Sequence, residues 1–240
     1  MRIVGMLRVR NEARWLGRVL KSIAPLCEKV VVFDDHSTDG STWIAREAGA
    51  IVFDSPYEGL NETRDKNALL EIVGGLLPDW VLCIDGDEEL EASGAEILPH
   101  LATNAAAAAY SLRVAYLWDR PDQVRVDGIY GSFRRPSFFR LAPGAAFVSR
   151  SAKGFHCSNA PQGLKGFHGL HTNVTLLHYG YMERETRLRK YLWYNEQDPN
   201  NTFEDGYRHM VAGDLPAVPA DVKTRHAGPL KLIPLSDFLS

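Results

Sequence analysis

The sequence predicts an α/β fold with a mainly parallel sheet flanked by helices. Three observations carry that prediction. Through the first hundred positions, short apolar or β-branched runs alternate with helically spaced apolar residues, the pattern of βαβ units. A Pro or Gly closes each helical stretch, at Pro25, Gly49 and Gly74-Gly75. Charged clusters follow directly on three of the runs, and ligands of open parallel sheets bind beyond the carboxyl ends of the strands.

Residues 2–7 read as a buried strand, and residues 13–24 as a helix with Trp15, Leu16, Val19, Leu20 and Ile23 on one face. The β-branched run 29–33 is a second strand, 41–48 a second helix and 50–53 a third strand. Asn61 caps a helix that runs to about Val73, and 80–84 is the fourth strand. Beyond residue 100 the pattern weakens. Strands are expected over 105–116, despite five consecutive alanines, and over 138–141 and 174–178. Residues 150–171 read as loop, 182–193 as a charged amphipathic helix, and the tail from Asn200 as irregular. The chain thus divides into a binding half over 1–100, a second half of the same domain over 101–180, and a C-terminal helix and tail over 181–240.

Composition narrows the function classes. Hydrophobic residues are 45% and charged residues 24% of the 240, ordinary for a globular chain. Net charge is −3, with Lys and Arg scattered, so nothing calls for a nucleic-acid partner. Cys27, Cys83 and Cys157 form no CxxC pair, which argues against a zinc or redox site and fits a reducing compartment. The apolar start, residues 3–7, is too short for a signal-peptide core, and no run approaches a bilayer span. The expectation is a cytoplasmic chain without a transmembrane segment, with peripheral membrane contact left open.

The clusters after the strands look chemical. Asp85-Gly86-Asp87-Glu88 follows the fourth strand, and two carboxylates one residue apart can converge on one divalent cation while Gly86 lets the chain turn. A solvated acidic turn is the bland alternative. After the second strand come Asp34-Asp35-His36-Ser37-Thr38-Asp39-Gly40-Ser41. Helix capping accounts for the part from Ser37 onward, but not for two adjacent carboxylates, which repel. Such a carboxylate can accept a uracil or guanine N–H or a ribose hydroxyl. Arg8, Arg10, Asn11 and Glu12 follow the first strand.

Arg10-Asn11-Glu12, Asp34-Asp35-x-Ser37-x-Asp39-Gly40-Ser41 and Asp85-x-Asp87-Glu88, in that order, resemble family 2 glycosyltransferases of the GT-A fold. The early Asn-Glu pair and the Trp before the metal strand are most similar to a group that includes lipopolysaccharide-core glucosyltransferases. The resemblance implies a nucleotide-sugar donor, a carbohydrate or lipid-linked acceptor, and Mn²⁺ or Mg²⁺ as cofactor. It implies Arg10, Asn11, Glu12, Asp34 and Asp35 at the donor, with Asp35 on the base or ribose. Asp85 and Gly86 would lie by the ribose and metal, and Asp87 would be the principal metal ligand. Lys66 or Arg64 would approach the base or diphosphate, and His178, at a strand end, would be a late metal or diphosphate ligand. Inversion needs a general base, and related enzymes often carry a Glu after a His in the acceptor half; here Phe155-His156 is followed by Cys157. His156, Asp127 and Glu88 are the candidate bases.

Three other readings compete. A DxD phosphatase would use Asp85 as nucleophile, but its motif follows the first strand of such folds. A sugar nucleotidyltransferase needs a Gly-rich loop after the first strand, and residues 8–12 contain no Gly. A non-catalytic nucleotide-binding protein would explain the missing acidic base.

Overall fold

Strand β1 (Ile3–Val9) is buried along nearly its whole length, because helices cover both of its faces. On one face Val4 and Met6 pack with Val31, Phe33 and Val81 under Leu69, Leu70 and Val73 of helix α3 (Glu62–Gly74). On the other face Gly5 lies against helix α1 (Leu16–Ile23), where an added Cβ would come within 3.2 Å of Ile23. β2 (Lys29–Asp34) and β4 (Trp80–Cys83) pair with β1 in parallel, and β3 (Ile51–Asp54) pairs with β2 in parallel beyond helix α2 (Ser41–Glu47). Asn61 caps α3 as its sequence predicts, accepting the Arg64 N–H at 2.9 Å.

The computed structural model describes residues 1–149, 157–200 and 205–240. Contacts group them into two compact units, Met1–Leu112 with Arg134–Val174 and Arg113–Phe133 with Thr175–Ser240. The first unit adds β5 (Glu88–Leu90), α4 (Gly94–Leu101), the first residues of β6 (Ala109–Trp118), β8 (Arg134–Arg140) and the start of β9 (Leu170–His178). β7 (Arg120–Arg125) falls in the second unit. β8 runs antiparallel to β4 and pairs Leu82 with Phe138 and Trp80 with Arg140. Trp80 is fully buried, with its ring 4.6 Å from Phe138, so it anchors the sheet.

The second unit holds the ends of β6 and β9, β7, helix α5 (Arg184–Gln197), β10 (Leu232–Pro234) and helix α6 (Leu235–Leu239). β7 pairs antiparallel with β6 and with β10. Trp118 lies between two buried guanidinium groups, Arg125 at 4.6 Å and Arg187 at 4.2 Å from its ring. Arg187 is bound by Asp214 at 2.6 Å and Asp119 at 2.7 Å. Arg187 and Trp118 therefore build this unit's core.

β5, α4, β7, β10 and α6 go beyond the sequence-based expectation. Glu88-Glu89-Leu90 reads as an acidic turn, and Pro99, Pro121 and Pro234 argue against the elements that contain them. The alanine run mostly precedes β6, which starts at Ala109. β9 starts at Leu170, earlier than its apolar core suggests. No helix among the described residues is long and apolar enough to cross a membrane.

Candidate active site

The loops after β1 and β2 are stitched together by the residues that looked like a helix cap. Asn11 and His36 sit in left-handed backbone, at φ 56° and 55°. The Asn11 N–H donates to Ser37 Oγ at 2.9 Å, and Asn11 Oδ1 accepts the Thr38 N–H at 2.7 Å. Glu12 N–H donates to Ser41 Oγ at 2.8 Å and Ala13 N–H to Asp39 Oδ2 at 3.0 Å. Asn11 thus ties one loop to the next with both its backbone and its side chain.

That frame holds two buried carboxylates. Asp34 Oδ2 accepts the Ser37 N–H at 2.9 Å. Asp35 Oδ2 accepts Arg8 Nη2 at 2.6 Å and Arg10 Nη1 at 3.3 Å. The other oxygen of each, Oδ1, is buried without a partner among the described residues. Such an atom costs about 1–3 kcal/mol unless a ligand or water supplies a donor. Arg10 remains half exposed.

Asp65 belongs to the same network, though the sequence offers only an acidic residue in the first turn of α3. It is fully buried and accepts Arg8 Nε at 2.9 Å and Arg64 Nε at 2.9 Å. Arg64 also donates to the carbonyls of Glu58 and Gly59, and its guanidinium lies 4.5 Å from the Tyr57 ring. Lys66 departs from the role implied by resemblance. It is only 2% exposed, and its Nζ donates to Glu62 Oε1 at 2.6 Å and to Asn159 Oδ1 at 2.7 Å. Burial pulls its pKa down, but Glu62, and beyond it Asp85, hold it above the ordinary lysine value. Asn159 in turn donates to the Cys83 carbonyl at 3.3 Å, so Lys66 and Asn159 fasten the segment after Cys157 to the end of β4.

Residues 85–88 form a tight turn closed by the Glu88 N–H to the Asp85 carbonyl at 3.1 Å. Gly86 is there for room, since its φ is not left-handed: a Cβ would meet Glu12 Cγ and Val9 Cγ1 at 3.0 Å. Asp87 is 3% exposed, whereas the Asp85 side chain is 39% exposed. Glu88 turns inward from β5, fully buried, with Oε2 accepting the Asp85 N–H at 3.0 Å and Oε1 without a partner among the described residues. Arg135 spans the turn, donating to Asp85 Oδ2 at 3.0 Å and to Glu88 Oε2.

Among the described residues no three His, Cys, Asp or Glu side chains converge on one point. The turn nevertheless fits a hard divalent cation of the Mg²⁺ or Mn²⁺ kind. It offers the carboxylate oxygens of Asp85 and Asp87, and such ions take their remaining ligands from diphosphate and water.

Burial pushes the Glu88 pKa up to about 7, and the neighbouring Asp85 and Asp87 push the same way, against Arg135. The folded protein therefore keeps a proton that the unfolded chain releases above the ordinary glutamate value, so stability falls as pH rises between about 4.5 and about 7. Glu88→Gln lacks that slope. In chelator, its stability relative to the parent should rise by about 2–3 kcal/mol between pH 4.5 and pH 8. Urea midpoints measured across that range test this, and parallel curves would mean that Glu88 titrates normally.

The remaining candidates are placed as follows. Asp127 is buried in a two-bond pair with Arg125, both at 2.9 Å, and also accepts the Lys231 N–H at 3.1 Å. That pairing fits a structural anion and leaves it poorly suited to accept a proton from an acceptor. His178 is buried in the second unit beside the stacked rings of Tyr116 and Tyr181. Its Nδ1 accepts the Gly180 N–H at 2.8 Å, which puts the proton of a neutral ring on Nε2. In that tautomer His178 suits hydrogen-bond donation to an oxygen better than metal ligation. His156 lies outside the described residues. Cys157 beside it is buried, and burial pushes its thiol up to about 11, so it is neutral and no substitute for a glutamate base.

The chain is similar in sequence and in fold to several known proteins. An uncharacterized glycosyltransferase of Rickettsia felis is 33% identical over 89 residues, 37% of this chain and 30% of that protein. An uncharacterized protein of Mycobacterium tuberculosis is 27% identical over 220 residues, 86% of this chain and 53% of that protein. The chain thus spans about a third to a half of the length of these relatives. Among solved structures, residues 1–349 of Staphylococcus aureus TarS align with 88% of this chain and 70% of their own, at 13% identity and a TM-score of 0.52, which is a likeness of fold. The sequence profile described as glycosyl transferase family 2 matches residues 7–161, from the end of β1 through the acidic turn to the segment pinned by Lys66, and the chain belongs to that family.

Proposed function

We propose that this chain moves a glycosyl group from a nucleoside-diphosphate sugar, UDP-linked, to an acceptor hydroxyl, with inversion at the anomeric carbon. The observation that carries the reading is one set of atoms at the ends of three adjacent parallel strands. Asp34 Oδ1, Asp35 Oδ1 and Glu88 Oε1 are buried without partners among the described residues, beside Arg8, Arg10 and the Asp85-Gly86-Asp87 turn. Asp35, backed by Asp34, accepts an N–H of the base or a ribose hydroxyl. Arg10 is free enough to reach diphosphate oxygens. Asp85 and Asp87 hold Mn²⁺ or Mg²⁺, which when bound neutralises charge on the leaving nucleoside diphosphate.

Deprotonation of the acceptor is assigned to His156, because Asp127 and Glu88 are already committed. The resemblance to lipopolysaccharide-core enzymes supports a carbohydrate or lipid-linked acceptor. The test is nucleoside diphosphate release from UDP-glucose, UDP-galactose and GDP-mannose, with Mn²⁺ or with chelator, in the presence of candidate sugar and lipid acceptors. Metal-dependent release that an acceptor accelerates supports transfer. Binding without release would favour a donor-binding protein, and an aspartyl-phosphate on Asp85 a phosphatase.

A further inference from the structure

The acidic turn already carries a cation of the protein's own. β8 pairs with β4 so that Trp80 faces Arg140 and Leu82 faces Phe138. The same antiparallel register carried forward sets Arg135 across from Asp85. Its guanidinium bonds Asp85 Oδ2 at 3.0 Å and also Glu88 Oε2, with the Arg135 side chain only 18% exposed. Lys66 adds a second positive charge that interacts with Asp85. A divalent ion approaching from solvent reaches Asp85 first, since Asp87 and Glu88 are buried, and there it meets a carboxylate oxygen already held by a guanidinium. Like charges this close oppose each other strongly in a partly buried site.

We propose that Arg135 is a built-in counter-cation of the Asp85–Glu88 turn that must give way for a divalent cation to bind, and so sets the protein's metal affinity. The inference rests on the proposed metal site. Arg135 acts here as a positioning residue: it holds the turn in the metal-free protein, and its charge is what the ion displaces.

Mn²⁺ alone, titrated into the full chain and followed by calorimetry or by the spectrum of free Mn²⁺, tests the competition. Arg135→Gln is expected to bind Mn²⁺ at least about tenfold more tightly than the parent, as expected when a close like charge is removed. Arg135→Lys, which keeps the charge, is expected to stay near the parent. Equal or weaker binding by Arg135→Gln overturns the proposal and leaves the metal site standing, as does an Arg135→Lys variant as tight as Arg135→Gln. Absence of Mn²⁺ binding by both parent and Arg135→Gln overturns the metal site and the proposal together. A second measurement needs no folded Gln variant. The guanidinium ¹⁵N signal of Arg135 in the parent, assigned by its loss in Arg135→Lys, is expected to shift on saturation with Mg²⁺. An unmoved signal under Mg²⁺ binding overturns the displacement.

Discussion

Asp87→Asn should lower glycosyl transfer by about a hundredfold to a thousandfold, the range seen when one preorganised charge-stabilising group is lost from an active site. The substitution keeps shape and removes one charge, at a residue 3% exposed in the turn after β4. In the proposed reaction that charge holds the ion against the leaving diphosphate, and a neutral amide is a much poorer ligand for a hard cation. The metal-free fold should be unharmed or slightly firmer, because Asp87 is one of the charges that push up the pKa of Glu88. Thermal midpoints in chelator together with initial rates in Mn²⁺ separate the two effects. Transfer at the parent's rate would remove Asp87 from the metal site.

The second large effect is on stability. Asp65→Asn should cost about 2–3 kcal/mol, less than the roughly 3–5 kcal/mol for breaking a fully buried ion pair because Arg8 and Arg64 keep some contact with water. Their side chains are 14% and 29% exposed while Asp65 is fully buried between them. The variant leaves both guanidinium groups facing each other across an uncharged amide. For a chain of this size the loss corresponds to a drop of about 5–10 °C in midpoint. Donor affinity should fall with it, since Arg8 also holds Asp35 at 2.6 Å. A change below about 1 kcal/mol would mean that the cluster behaves as a solvated surface pair.

The contrast between Asp87 and Asp65 shows what the sequence reveals. Asp85 and Asp87 stand out in the sequence because a DxD after an apolar run invites a metal-ligand reading, and the four parallel strands are legible because their runs are β-branched and cleanly bounded. Asp65 is not, since an acidic residue in the first turn of a helix is ordinary macrodipole chemistry. Only the fold brings Arg8, 57 positions earlier, within 2.9 Å of it. Lys66 fails for the converse reason: its place in the sequence suggests a donor ligand, and the structure spends it on Glu62 and Asn159. Glu88 reads as the third acid of a solvated turn, but β5 turns it inward, which changes it from a candidate base into a sealed, proton-holding group. Arg135 is visible as a charge and not as a partner of Asp85, because strand register is set by packing that spacing alone does not encode.

In the proposed reaction the carboxyl ends of β1, β2 and β4 form a metal-assisted nucleotide site. Thermal unfolding of the full chain with UDP, GDP, CMP or dTDP, each with Mn²⁺, with Mg²⁺ and with chelator, tests it most directly. A ligand that binds only the folded state adds about 2.7 kcal/mol at a hundred times its dissociation constant, a shift of several degrees. UDP is expected to raise the midpoint with Mn²⁺ or Mg²⁺, and chelator to remove most of the rise. A midpoint that no nucleotide moves, with or without metal, would contradict it.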